Sequence, residues 1–170
     1  METLVAPATQ AAALLPELTH EISLTRRVLE RVPGGHLAYR PHPTSMALGH
    51  LATHTADMLQ FMAVTLQTAE VDLAAMGTDW APATSTAELL ARFEAGAAAI
   101  LEALPAASDN DLAATWVMRH GATPVLQQTR AQVLRHLISH TAHHRGQLLV
   151  YLRLLEVPVP AVYGPSADES

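Results

Sequence analysis

A helical spacing of apolar residues, repeated in four long segments, is the feature that most constrains the fold of this chain. Apolar residues three or four positions apart form a stripe on one side of a helix, and that stripe must be buried against another element. The first segment covers 11–31, the second begins near Thr44 and ends near Thr68, the third covers 85–104, and the last covers 128–156. We therefore predict an all-α fold, a four-helix bundle.

Several residues mark the predicted helix ends. Thr44 or Ser45 is the expected N-cap of the second helix, because a hydroxyl can accept a bond from the first turn. Ser85, with a glutamate three residues later, forms a capping-box pattern at the start of the third helix. Pro105 is expected to stop that helix. Pro16 is expected in the first turn of the first helix, where the missing N–H costs little.

The third and fourth helices are joined by a long connection, residues 106–127. Within it, the segment TWVMRHGATPVLQ places two short β-prone pieces on either side of Gly121, which predicts a small β-hairpin. Residues 157–170 have no helical period, and we expect an extended tail across the surface. The length suits a single domain, 1–170.

Composition and charge narrow the classes of function. The net charge is −6 and the basic residues are scattered, which disfavours nucleic acid as a partner. Cysteine is absent, so any thiol chemistry would need a thiol from outside the chain. The opening segment lacks the features of a signal peptide, and no apolar run approaches the ~18 residues of a membrane span. We expect a cytoplasmic protein with no membrane partner.

Histidine is abundant and clustered, with ten residues of which six lie in ALGHLATH and HLISHTAHHRGQ. His140 and His144 are four residues apart, so a helix separates them by about 40° and about 6 Å. Both imidazoles can then point at one ion. Their neighbours at helical spacing, such as Leu137 and Leu148, are apolar, which places the pair toward the core. A metal would satisfy two of the four buried ring nitrogens, so we predict a divalent-metal site.

A third ligand should come from the second helix, which offers His50 and His54. His54 has the more apolar neighbours at helical spacing, so it is the predicted third ligand; the alternative is a plain core histidine. Three imidazoles leave a coordination position open, which favours chemistry on a bound water or thiol over a closed structural site. Neither histidine-rich segment contains HExxH or Glu-x-x-His, which disfavours a metalloprotease and a di-iron carboxylate site at these histidines.

Four further residues lie near the predicted ligands. His136 and His143 have more polar neighbours, which places them at the rim of the site. Asp57, one turn beyond the predicted ligand of the second helix, either orients an imidazole or is an exposed carboxylate. Gln147 lies on the ligand face and either contacts a ligand or bonds the backbone.

Three further side chains have two interpretations each. Arg145 points about 100° away from the neighbouring histidine of the metal pair, which favours an ion pair or an interface. Trp80 and Trp116 fall in the connections, where an indole can wall a pocket or anchor a loop to the core.

The segments HPTSMALGHLATH and HLISHTAHHRGQLLVYLRLLEVPVPAVYGPSADE resemble the DinB-like family of metal-binding four-helix bundles, also called the DinB/YfiT superfamily. The resemblance spans nearly the whole chain, and its most specific part is HxxxH followed by RGQ. It implies a metal held by His54, His140 and His144, with zinc or nickel as the ion and water completing the shell. It also implies a homodimer and a link to the stress response.

Two functions follow as hypotheses. Relatives in the family include thiol-dependent S-transferases and isomerases, which implies a metal-dependent enzyme that activates water or an external low-molecular-weight thiol for transfer to a small electrophile or for hydrolysis. No residue stands out as a general base, although His143 is a candidate. The alternative is a non-enzymatic, metal-stabilised stress or interaction protein.

Overall fold

Four long helices dominate the structure, a computed structural model that describes residues 9–76 and 81–169. The helices are α1 (Gln10–Leu29), α2 (Leu48–Gln67), α3 (Thr86–Ala106), α4 (Asp109–Ala113) and α5 (Arg130–Leu154), and the strands are β1 (Glu70–Asp72), β2 (Thr115–His120) and β3 (Thr123–Thr129). The predicted four-helix bundle, formed by α1, α2, α3 and α5, is confirmed. None of the described helices is long and apolar enough to cross a membrane.

Helix α2 occupies a central position, packed against both α3 and α5. The α2–α3 contact is close, because a Cβ added to Gly96 would lie 2.7 Å from the backbone nitrogen of Gln60. Helices α2 and α5 run antiparallel: Arg130 Nε donates to the carbonyl of Thr65 (3.1 Å) at one end, and the Tyr151 hydroxyl donates to the carbonyl of Met46 (3.2 Å) at the other. This pairing brings the histidines of the two helices to the same level of the bundle.

The core is built from the apolar stripes that the periodicity predicts. Leucines dominate it, with a few larger side chains between the helices, and together they bury the area that stabilises the bundle. Its largest fully buried apolar side chains are Trp116, Phe93, Leu14, Leu18, Leu29, Leu48, Leu51, Leu59, Met62, Leu89 and Ile100.

The start of α1 agrees with the predicted segment within one residue, but Pro16 does not lie where it was predicted. The helix begins at Gln10, where the Thr9 hydroxyl accepts a bond from Ala12 N (3.2 Å) and Gln10 N donates to Asp109 Oδ1 (2.8 Å). These acceptors satisfy N–H groups upstream of Pro16, so the proline lies inside the helix. The placement of Pro16 in the first turn was wrong.

The start of α2 also differs. Neither Thr44 nor Ser45 caps the helix; its N-cap is Ala47, whose side chain makes no capping bond. The first N–H groups of the helix instead donate to backbone carbonyls of the preceding segment, Leu48 N to Tyr39 (2.9 Å) and Gly49 N to Leu37 (2.8 Å). The capping prediction was wrong because carbonyls of the preceding segment, and not the hydroxyls of Thr44 or Ser45, accept these bonds.

Helix α3 begins as predicted, with the Ser85 hydroxyl accepting from Glu88 N (3.1 Å). The glutamate does not complete the capping box, since its carboxylate accepts from Thr84 N (2.8 Å) and from the Thr84 hydroxyl (2.7 Å). Pro105 lies in the last turn, and α3 ends at Ala106, two residues beyond the predicted end.

The connection between α3 and α5 contains the predicted hairpin, with β2 and β3 antiparallel around Gly121, whose φ of +59° suits a glycine. Three elements were not predicted: the 3-10 helix Gly34–His36, the short helix α4, and strand β1, which pairs in parallel with β2 to complete a three-stranded sheet. Arg119 of β2 reinforces this pairing by ion pairs to Glu70 and Asp72, both at 2.8 Å.

Residues 157–169 contain neither helix nor strand and follow the bundle surface. Glu169 forms ion pairs with Arg27 and Arg31 of the first helix and its extension. Asp168 pairs with Arg153 near the end of α5 and accepts from Val159 N (2.9 Å). The Ser166 hydroxyl donates to the Val159 carbonyl (2.8 Å), so this part of the tail turns back on itself.

Candidate metal centre

Three histidines from two helices meet between α2 and α5. His54 lies on α2, and His140 and His144 lie one turn apart on α5. Each offers one ring nitrogen to a group whose ligand atoms all lie within 4.8 Å of one another, and all three side chains are partly buried. The antiparallel packing of α2 and α5 therefore brings together the same three residues that the sequence predicts.

The α5 pair is the tighter part of the cluster. The two Nε2 atoms of His140 and His144 lie 2.7 Å apart, and the ring centroids are 4.5 Å apart. His144 Nδ1 lies 2.8 Å from Oε1 of Gln147, and an amide oxygen can only accept a hydrogen bond. The proton of His144 therefore sits on Nδ1, which leaves the lone pair of Nε2 directed at His140.

Gln147 is oriented by two contacts. Its Nε2 lies 3.1 Å from Nε2 of His143, so the amide donates to one imidazole while its oxygen accepts from His144. A hydrogen bond to the far nitrogen of a metal-ligating imidazole sets the ring orientation and tautomer. Of the two roles predicted for Gln147, contact with a ligand residue is the one observed.

His54 completes the cluster from the facing helix. Its ring centroid lies 5.3 Å from that of His140 and 4.8 Å from that of His144. Burial, with a smaller contribution from the two neighbouring imidazoles, lowers the pKa of His54 to about 4. The pKa of His140 is also lowered, first by burial and then, to a lesser extent, by the charges of the neighbouring imidazoles. Both rings are thus held neutral near pH 7, the form that binds metals.

The donor set fits a divalent transition-metal ion. Imidazole nitrogens bind zinc at ~2.0–2.1 Å in a tetrahedral shell, which places two of them about 3.3 Å apart on one ion. The Nε2 atoms of His140 and His144, at 2.7 Å, need to separate by about 0.6 Å to match. An all-imidazole set suits zinc, nickel, copper or iron and is poor for calcium or magnesium.

A cavity of about 440 Å³ adjoins the histidines. It lies between α2, α5 and the inner face of the hairpin. Two of the three candidate ligands, His54 and His140, form part of its wall. Its lining residues are Met46, His50, Thr53, His54, Met58, Phe61, Leu73, Met118, Leu126, Val133, His136, Leu137 and His140.

The sequence as a whole matches one family description. The model of the DinB family matches residues 8–170. The chain belongs to the DinB family. The resemblance inferred from HxxxH and RGQ is thereby confirmed.

Solved DinB-like structures share the fold of this DinB-family chain. A DinB-like protein of Bacillus cereus has a TM-score of 0.71 at 24% identity, covering 88% of this chain and 95% of that one. YjoA of Bacillus subtilis has a TM-score of 0.68 at 18% identity, covering 89% and 98%. A putative DinB member from Exiguobacterium sibiricum has a TM-score of 0.67 at 18% identity, covering 91% and 97%. At these identities the likeness establishes the fold.

A curated relative matches a shorter stretch. The uncharacterized protein YrdA of Bacillus subtilis is 42% identical over 43 residues, which is 25% of this DinB-family chain and 26% of YrdA. The match thus spans about a quarter of the relative's length.

The rim histidines of the DinB-family chain divide between two surroundings. His136 lines the cavity, and its ring centroid lies 5.8 Å from that of His140. His143 is exposed and contacts His144, with ring centroids 5.1 Å apart, but it is not among the lining residues. His50, the other histidine of the second helix considered as a third ligand, also lines the cavity.

Asp57 has a role that the sequence did not predict. Arg92 of α3 donates to both carboxylate oxygens, from Nε to Oδ1 (3.1 Å) and from Nη2 to Oδ2 (2.8 Å). The carboxylate side chain is 18% exposed, so the prediction of an exposed group was wrong. Asp57 joins α2 to α3 behind the histidines.

Arg145 forms the ion pair that sequence analysis offered as one alternative. Its side chain is 1% exposed, and Nη2 lies 2.7 Å from Oε2 of Glu21. Nη1 donates to the Thr25 hydroxyl (3.0 Å), and Nη2 donates to the hydroxyl of Tyr163 in the tail. This buried cluster ties α5 to α1 and to the C-terminal tail.

Of the two tryptophans, the structure describes Trp116. Trp116 is fully buried, donates from Nε1 to the Thr68 hydroxyl (3.2 Å) and packs edge-on against Phe61, with ring centroids 5.8 Å apart. It anchors the hairpin to α2, as the second alternative predicted. Trp80 lies outside the described residues.

Proposed function

We propose that this protein binds one divalent metal ion, zinc or nickel, through His54, His140 and His144. We further propose that it is a metal-dependent enzyme that activates water or an external low-molecular-weight thiol for transfer or hydrolysis. The observation that carries the proposal is the convergence of three imidazoles, with ligand atoms all within 4.8 Å, from two antiparallel helices. Membership of the DinB family supports the same interpretation.

The protein's own residues supply binding, orientation and shielding. Three imidazoles provide the donors, and Gln147 holds the ring of His144 with its Nδ1 proton facing away from the site. The adjoining cavity gives a substrate access to the imidazoles and places mostly apolar side chains around it. A bound divalent ion would lower the pKa of a water or thiol at this place, which supplies a nucleophile near neutral pH.

In the transfer reaction, the thiol loses its S–H proton, its sulfur forms a bond to the electrophilic carbon, and the leaving group departs with the bonding electrons. The absence of cysteine from the chain supports a thiol that comes from solution. In the hydrolytic version, water takes the place of the thiol.

A depletion and reconstitution assay tests the proposed enzyme. Protein stripped with a chelator should consume neither thiol nor an activated aryl halide, and zinc or nickel should restore turnover in the wild type but not in His54→Ala. If zinc raises the melting temperature of the wild type while no cellular thiol and no activated ester is turned over, the non-enzymatic, metal-stabilised protein is the correct function.

A homodimer is part of the proposal. Val150 and Leu154 lie one turn apart on α5 and are 58% and 55% exposed, an apolar pair that a second copy could cover. Light scattering during size-exclusion chromatography should give twice the mass of one chain. A mass equal to one chain at micromolar concentration would exclude the dimer.

A further inference from the structure

The described lining of the cavity beside the histidines lacks the charged side chains that a site for a charged ligand would have. None of the described residues that form its wall is lysine, arginine, aspartate or glutamate. Its polar groups are four imidazoles and the Thr53 hydroxyl, which already donates to the Gly49 carbonyl (2.7 Å) and accepts from Ala83 N (2.8 Å). The described wall therefore offers a ligand apolar contacts and imidazoles.

Most of the apolar lining of the cavity lies on one side of the imidazoles. Met58 and Phe61 follow His54 on α2 at intervals of four and three residues, about one helical turn each. On the antiparallel α5, Leu137 and Val133 precede His140 at the same kind of spacing. The two helices thus carry matching stripes away from the histidines.

The sheet closes the apolar part of the cavity. Met118 of β2 and Leu126 of β3 are directly paired across the hairpin, so their side chains share one face, and both line the cavity. Leu73, which follows β1, completes this wall. The volume of about 440 Å³ lies within the ~300–1,000 Å³ typical of small-molecule sites.

The charge of a ligand decides whether it can enter the apolar part of the cavity. In the metal-free protein, an ionised carboxylate or sulfonate that enters this cavity loses its hydration, and the described wall offers no lysine or arginine to pair with it. An uncharged molecule has no such cost and gains from each apolar surface that it covers. Selection against charge therefore follows from the lining.

We propose that the cavity binds an uncharged, largely apolar small molecule, with its body against Met58, Phe61 and Leu126 and its single polar group beside His54 and His140. This inference rests on the proposed function in one respect: the molecule is the electrophilic or ester substrate of the metal-dependent reaction. Its binding is a separate property of the cavity and can be measured in the absence of turnover.

A pair of fluorescent probes tests the charge selection. N-phenyl-alpha-naphthylamine is uncharged, and anilinonaphthalene sulfonate has the same ring system with one added sulfonate. Metal content is determined first, and titration of the chelated full-length protein with each dye should then give at least about tenfold tighter binding of the uncharged dye, equivalent to ~1.4 kcal/mol. Equal or tighter binding of the sulfonate would overturn the inference.

Neighbouring residues of β3 provide a matched pair of variants. Leu126→Glu places a carboxylate in the cavity wall, whereas Val125→Glu places one on the opposite face of the strand, where the side chain is 52% exposed. Leu126→Glu should weaken the uncharged dye by about tenfold or more, and Val125→Glu should leave it within about twofold. Equal effects of the two substitutions would locate the dye elsewhere.

A second variant and a parallel measurement keep the outcomes distinct. If Leu126→Glu loses its helical circular dichroism, Met118→Glu makes the same test from β2. Metal content is measured on every sample. Retained metal without selective dye binding overturns this inference alone, and selective dye binding without any metal overturns the proposed function alone.

Discussion

Two polar clusters lie on neighbouring residues of α5 and are built on opposite principles. Arg145 faces α1, where a carboxylate, a hydroxyl and a phenol surround its guanidinium, so opposite charges and hydrogen bonds compensate one another. His144 faces α2, where the neighbouring groups are two further imidazoles, bases of the same kind. The chain supplies the countercharge of the first cluster, whereas the second concentrates lone pairs that suit a cation.

The largest expected effect tests the compensated cluster. Arg145→Met leaves the carboxylate of Glu21 buried without its cation, which should lower the free energy of unfolding by about 3–5 kcal/mol. Urea denaturation of the chelated protein measures this loss. Arg153→Ala, which removes the exposed ion pair with Asp168, is the control and should cost under about 1 kcal/mol. Similar losses in the two variants would contradict the structural role of Arg145.

The second effect concerns the histidine cluster. Zinc should raise the melting temperature of the wild type, because a ligand that binds only the folded state stabilises it. His54→Ala should abolish most of this rise, whereas His50→Ala, four residues earlier on the same helix, should retain it. A zinc response that is unchanged in His54→Ala would remove this histidine from the ligand set.

The pH dependence of the metal-free protein gives the third effect. The pKa of His54 is lowered from 6.5 to about 4 in the folded state, so the unfolded chain binds more protons between these values. The contribution of His54 to the free energy of unfolding should be fully present above pH 6.5, fall as the pH approaches 4 and level off below it. Urea midpoints across this range should fall less steeply for His54→Gln. Parallel slopes would contradict the lowered pKa.

The smallest effect tests the hydrogen bond that orients His144. Gln147→Leu removes the acceptor for Nδ1 and should weaken zinc binding by about tenfold, since partners of metal ligands typically contribute 10–100-fold. Competition with a chromophoric chelator measures the affinity. Gln147→Glu retains an acceptor and should stay near the wild-type value. Equal losses in the two variants would indicate a steric effect.

Local patterns in the sequence were sufficient for the bundle and for the grouping of the histidines. The i, i+4 spacing places His140 and His144 on one helical face whatever the tertiary contacts are, and the apolar neighbours of His54 indicate its direction. The hairpin was predictable because β-prone pieces flank Gly121. These features depend on residues close together in the chain.

Features that depend on distant residues were not predictable in the same way. Strand β1 has only three residues, too few for a period, and exists because it pairs with β2, more than forty positions later. The N–H groups at the start of α2 find carbonyls of the preceding segment, so the Thr44 and Ser45 hydroxyls are not needed. The partner of Asp57 lies on α3, which no local pattern could indicate.

Elemental analysis of protein purified without added metal tests the central claim most directly. The wild type should carry about one divalent transition-metal ion per chain, as three converging imidazoles predict, and the double variant His140→Ala/His144→Ala should carry almost none. An equally low metal content in both proteins, or an equally high one, would contradict a metal centre at these histidines.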